Sequence, residues 1–201
     1  MRDTSGGAAT GVPWTVVRDA AVGAVRRGWP VVPGVYRMDA LGFPELVPLE
    51  NTGDLTPITD SEHAQEIWTR LRPPGVLLVC GKGIDALEVP PWASERLPAL
   101  AEHGLRVPIA TTVAPYRWLL LVATGSRRLR PELAAAAVLL HSTGEWAALP
   151  PTTLPGNPPL RWTQPPAENR TLRLPKADEV QRILVGTRRS RRPRGFRATA
   201  R

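Results

Sequence analysis

The residue in this sequence whose type and setting most suggest chemistry is Glu88. It sits between Leu87 and Val89 in GVLLVCGKGIDALEVP, residues 75–90. An acid inside an apolar run is costly to bury unless something pairs with it. Glu88 is therefore a candidate catalytic or metal-binding carboxylate, or else an ordinary acid near a strand end. In a two-residue alternation Ile84, Ala86 and Glu88 share one face, and Asp85, Leu87 and Val89 share the other. Asp85 is thus directed away from any ligand set built on Glu88. The sequence contains no GxxxxGK[ST], GxGxxG or GxSxG string, and Gly81-Lys82-Gly83 reads as a tight turn. His63, His103 and His141 lie far apart, on or beside expected helices, without HxH or HExxH spacing, and read as surface or helix-end residues. Cys80 is the single cysteine, which excludes an internal disulfide and a Cys-based zinc cluster. It fits a reducing cytoplasm and reads as a buried small hydrophobe. The seven tryptophans could stack bases in a single-strand groove, but packing is the default for most of them.

The formal net charge of +8 is concentrated in one place. Seven of the 26 basic residues fall in the last 16, GTRRSRRPRGFRATAR, leaving 19 basic against 18 acidic residues and a body near +1. An Arg block with Gly and Pro is expected to be disordered. Arg188, Arg189, Arg191, Arg192, Arg194 and Arg197 are candidate contacts to DNA or RNA, because each neutralised phosphate releases counterions. The same composition also describes a solvated Arg-rich terminus of a protein from a high-GC genome. No run approaches 18 apolar residues, and MRDTSGGAATG lacks a signal core, so neither a membrane span nor secretion is expected.

The elements that must hold these residues follow from periodicity. A helix is expected over 13–27, with Val16, Val17, Ala20, Ala21, Ala24 and Val25 at three- and four-residue spacing. A short strand over 29–33 follows, and then a loop over 34–57 with one extended piece near 46–49. A second helix opens at Thr59-Asp60-Ser61-Glu62, where Thr59 and Glu62 have capping-box spacing, and Pro73-Pro74 stops it. The runs 76–80 and 84–89 form a hairpin signal. Further helices are expected over 93–103, 131–140 and 177–185. Further strands are expected over 107–113, 117–123, 146–149 and 160–162, with a short extended piece over 172–174. The run 118–122 is apolar enough to be a central strand. The fold class is a single α+β (mixed α/β) domain: a mixed sheet flanked by helices over 13–185, with a disordered N-terminus over 1–12 and a disordered tail over 186–201.

Taken in order, four segments resemble the N-terminal primase/polymerase (Prim-Pol) domain of the archaeo-eukaryotic primase superfamily, found in bacterial plasmid and phage proteins. Gly28-Trp29-Pro30-Val31-Val32-Pro33 is similar to its GWPVFP string after the first helix. Thr59-Asp60 and Ile67-Trp68 resemble its T-D to I-W helix, and residues 75–90 resemble its paired strands ending in an apolar-D-apolar-D motif. Residues 117–122 and 144–152, followed by Arg161-Trp162, resemble its closing GGYVVAPPS-like segment. The resemblance implies two metal-binding aspartates at the positions of Glu88 and Pro90, and a nucleotide-contacting histidine near Trp118. It also implies a Lys/Arg-rich string, here reduced to Arg37 within Tyr36-Arg37-Met38-Asp39. Pro90 cannot coordinate a cation, Trp offers a single N–H donor, and two-metal nucleotidyl transfer needs clustered carboxylates around Mg2+ or Mn2+. No catalytic residue is assigned beyond Glu88 as a remnant acid and weak metal ligand.

Three functions remain open on these residues. One is a degenerate Prim-Pol-like domain that binds nucleic acid or a protein partner. The second is an active, metal-dependent DNA primase or polymerase. The third is a structural or regulatory domain without nucleic-acid contact.

Overall fold

A computed structural model describes residues 11–49, 56–111, 117–125, 128–153, 156–167 and 173–186. Two antiparallel sheets organise the domain, where the sequence suggests one mixed sheet. The first has the order β2 (Pro44–Pro48), β1 (Val31–Met38), β3 (Gly75–Val79), β8 (Trp146–Leu149). The second has the order β7 (Leu139–His141), β4 (Ile84–Val89), β6 (Trp118–Ala123), β5 (Ile109–Thr111), β9 (Arg161–Gln164). The α+β class and the single domain stand.

Helices α1 (Trp14–Arg26) and α2 (Ser61–Leu71) pack together. Their buried faces, led by Val17, Ala21, Val25, Ala64 and Trp68, form one core with Val76 and Leu78 of the first sheet and Ala86 and Leu121 of the second. Helices α3 (Leu97–Glu102), α4 (Pro131–Ala135) and α5 (Ala177–Val185) cover the other face of the second sheet, where Leu87, Val89, Leu120 and Val122 are buried. Strand β3 is buried on both faces, which explains its unbroken apolar run.

Several expectations change. The 76–89 segment reverses direction but is not a hairpin ladder: β3 pairs with β1 and β8, and β4 pairs with β6 and β7. The Gly81–Gly83 turn is a fork between sheets. Gly81 takes φ +88°, and a Cβ there would lie 2.4 Å from the Thr143 Cα, so the position requires glycine. Strand β1 runs through Pro33 and Gly34 instead of ending there. Pro33 still offers its carbonyl to the Leu49 N–H at 2.9 Å, and the absent side chain of Gly34 lets Leu77 and Leu46 close in. The cap of α2 is Asp60, not Thr59; its Oδ1 accepts from the His63 N–H at 2.8 Å. Residues 93–103 divide into a 3-10 turn, Pro91–Glu95, and α3, with Pro98 tolerated in the first turn of α3. The expected helix over 131–140 stops at Ala135: Ala137 adopts φ +59°, the Val138 N–H reaches back to the Leu133 carbonyl at 3.0 Å, and the chain continues as β7. Residue 172 lies outside the described residues, and 173–174 form no strand. Helix α5 and strand β8 have the expected bounds, and β6 is flanked by β4 and β5 as a central strand should be.

Candidate functional site

Glu88 lies on the face of β4 that alternation assigns to it. Its direct partner on β6 is Leu119, and its partner on β7 is Leu139. Cross-strand neighbours share a face, and a residue two positions away lies within reach of a long side chain. Arg117, two residues before Leu119, and His141, two residues after Leu139, therefore converge on the same carboxylate. Arg117 forms an ion pair with Glu88 Oε1 through Nε. The His141 Nε2 lies 2.9 Å from Glu88 Oε2. All three side chains are partly buried. The hydrogen bond from His141 is the largest influence on the Glu88 carboxyl and holds its pKa below the ordinary value, aided by the charges of His141 and Arg117 and opposed by burial. Arg117 is further fixed by an Nη2 donation to the Ala137 carbonyl at 2.9 Å, which ties it to the turn that ends α4.

These groups border a cavity of about 230 Å³ between the sheets. Leu46, Leu77 and Trp146 line its side on the first sheet; Glu88, Arg117 and His141 line the second. Glu88 is the one acid among the described lining residues. Among the described residues no group of three or more His, Cys, Asp or Glu side chains is placed to hold a metal ion.

The remaining sequence candidates are dispersed. Trp118 pairs with Val89, so its ring packs into the helix-covered core on the opposite face of the second sheet. The residue that β6 directs toward Glu88 is Arg117, not Trp118. Pro90 ends β4 and leads into the 3-10 turn. Asp85 is fully buried on the far face of β4, where its Oδ1 accepts from the Gly81 N–H at 3.0 Å and the Thr124 hydroxyl at 3.2 Å. Cys80 is buried, and burial, then the Asp85 and Glu145 charges, push its thiol up to about 12, well removed from thiolate chemistry at neutral pH. His63 and His103 line no part of this cavity. Arg37 donates to the Leu49 carbonyl at 3.0 Å. Arg188, Arg189, Arg191, Arg192, Arg194 and Arg197 lie outside the described residues, as does the 113–116 stretch before β6.

Arg117 carries no role in the sequence reading, and His141, expected on the surface or at a helix end, instead lies half-buried at the end of β7 against Glu88. Alternation back from Leu119 would have put Arg117 on the cavity face. His141 was hidden by the Ala134–Ala137 run, whose helix propensity masks the short strand after it.

Two antiparallel sheets, helices on their outer faces and a carboxylate in the crevice between them define an α+β domain with its candidate site at the sheet junction. The chain belongs to the Prim-Pol family: the model for the N-terminal domain of bifunctional DNA primase/polymerases matches residues 21–177. No curated protein matches the chain.

Proposed function

We propose that this Prim-Pol domain has lost nucleotidyl transfer and acts by binding nucleic acid. The observation that carries the reading is the state of Glu88: its two carboxylate oxygens are already engaged, one by Arg117 and the other by His141. Mg2+ and Mn2+ are hard cations that need several oxygen ligands, usually more than one of them anionic. The residues present do not fit such an ion. Among the described residues lining the cavity one carboxylate is present, a guanidinium sits against it, and Pro90 supplies no side-chain oxygen where the family resemblance implies a second acid.

Family membership supports nucleic acid as the partner class. The Arg-rich segment containing Arg188, Arg189, Arg191, Arg192, Arg194 and Arg197 supplies a phosphate-binding element of the required charge. A cytoplasmic setting accords with the single, buried Cys80, and among the described residues no helix is long and apolar enough to cross a membrane.

The test is primer extension with dNTPs and Mg2+ or Mn2+, run beside Glu88→Ala, together with DNA and RNA binding across a salt series. The expected result is no metal-dependent extension and salt-sensitive binding. Extension that disappears in Glu88→Ala would restore catalysis to the domain. Absence of binding even at low salt would leave a structural or regulatory role.

A further inference from the structure

A second cavity, of about 510 Å³, opens on another part of the domain, with three arginines and no acid among its described lining residues. Four separate segments build it. Arg27 follows the last turn of α1, and Trp29 comes two residues later. Arg106 lies on the loop between α3 and β5, Gln164 ends β9, and Arg173 precedes α5. Arg106 and Arg173 are exposed, and among the described residues neither they nor Arg27 form an ion pair. Arg27 is braced by an Nη1 donation to the Gly23 carbonyl at 2.8 Å, while its buried Nε donates to no described group. An adjoining hollow shares Arg27 and Trp29 and adds Asp19, whose carboxylate is paired with Arg18, and Trp162, whose ring centroid lies 6.4 Å from that of Trp29.

We infer that this groove is a single-strand nucleic-acid site on the folded body, separate from the Arg-rich terminal segment. The inference rests on the proposed nucleic-acid-binding function. The body as a whole is near charge balance, yet three guanidiniums gather here with no carboxylate among the described lining residues, and guanidinium pairs well with phosphate. A duplex, whose major groove alone is about 12 Å wide, is too broad to enter a cavity of about 510 Å³, whereas an unpaired base with its phosphate can. Partly exposed Trp162 and the amide of Gln164 offer a base a stacking surface and a hydrogen-bonding group.

The experiment measures fluorescence anisotropy of labelled oligo-dT on the full chain, across a salt series. The variants are Arg106→Glu/Arg173→Glu, Arg106→Lys/Arg173→Lys, and the six terminal arginines replaced by Ala. The Glu pair is expected to weaken binding about tenfold or more and to lower the salt slope by about 1.4, the equivalent of two single-strand phosphates. The Lys pair is expected to keep the slope, and the terminal variant to keep its sensitivity to the Glu pair. Binding by the unaltered chain that the Glu pair leaves intact overturns the groove while the function stands. No binding by the unaltered chain overturns both. Displacement of oligo-dT by equimolar dTMP would reassign the groove to a free nucleotide and overturn the strand.

Discussion

The two cavities hold their charges in opposite ways. At the sheet junction, Glu88, Arg117 and His141 answer one another within the fold, and both carboxylate oxygens are engaged. At the groove, Arg27, Arg106 and Arg173 meet no described carboxylate. Charges that are paired within a fold contribute to its stability and are unavailable to a ligand. Charges that are left without a counter-charge contribute little to stability and remain available. On the proposed function, the first arrangement serves the fold and the second is the one open to a partner.

The largest expected effect that tests the contrast is the loss of Glu88. Removing one member of a fully buried ion pair costs about 3–5 kcal/mol. Here both side chains keep some solvent contact, so Glu88→Ala should lower the unfolding free energy by about 2 kcal/mol in urea denaturation. A neutral outcome would mean that the cluster is not structural. His141→Ala removes one hydrogen bond to a charged acceptor and should cost about 1.5 kcal/mol by the same measurement.

Acid sharpens the contrast further. The folded Glu88 carboxyl has a pKa below its ordinary value of 4.5, so its contribution is fully present above that value and is lost as pH falls through the lower folded value. Stability measured from pH 7 to pH 3 should fall more steeply for the unaltered chain than for Glu88→Gln. Parallel curves would break the link between Glu88 and stability.

The smallest expected effects belong to the groove. Arg106→Ala and Arg173→Ala should each change stability by no more than about 0.5 kcal/mol, as exposed residues away from packing usually do. A loss comparable to that of Glu88→Ala would show that the groove arginines are structural after all.

The sequence made some of this legible. Helices α1 and α5 carry a strong apolar stripe, and β8 is a short run bounded by turn residues, so local patterning locates them. Glu88 stands out because it is the one acid amid apolar neighbours on its face. What local patterning cannot supply is partnership. The fork at Gly81–Gly83 looks like a hairpin because a reversal is local, while the choice of β1 and β8 for one arm and β6 and β7 for the other is made by distant strands. Arg117 and His141 meet Glu88 only because β4 lies between β6 and β7. The groove draws on segments separated by most of the chain, so its arginines look scattered in sequence.

Whether Glu88, engaged by Arg117 and His141, can hold a catalytic metal is read by electron paramagnetic resonance of Mn2+ titrated into the full chain, beside Glu88→Ala. The expected result is free-ion spectra that the substitution leaves unchanged. A stoichiometric bound-Mn2+ signal that vanishes in Glu88→Ala would contradict it.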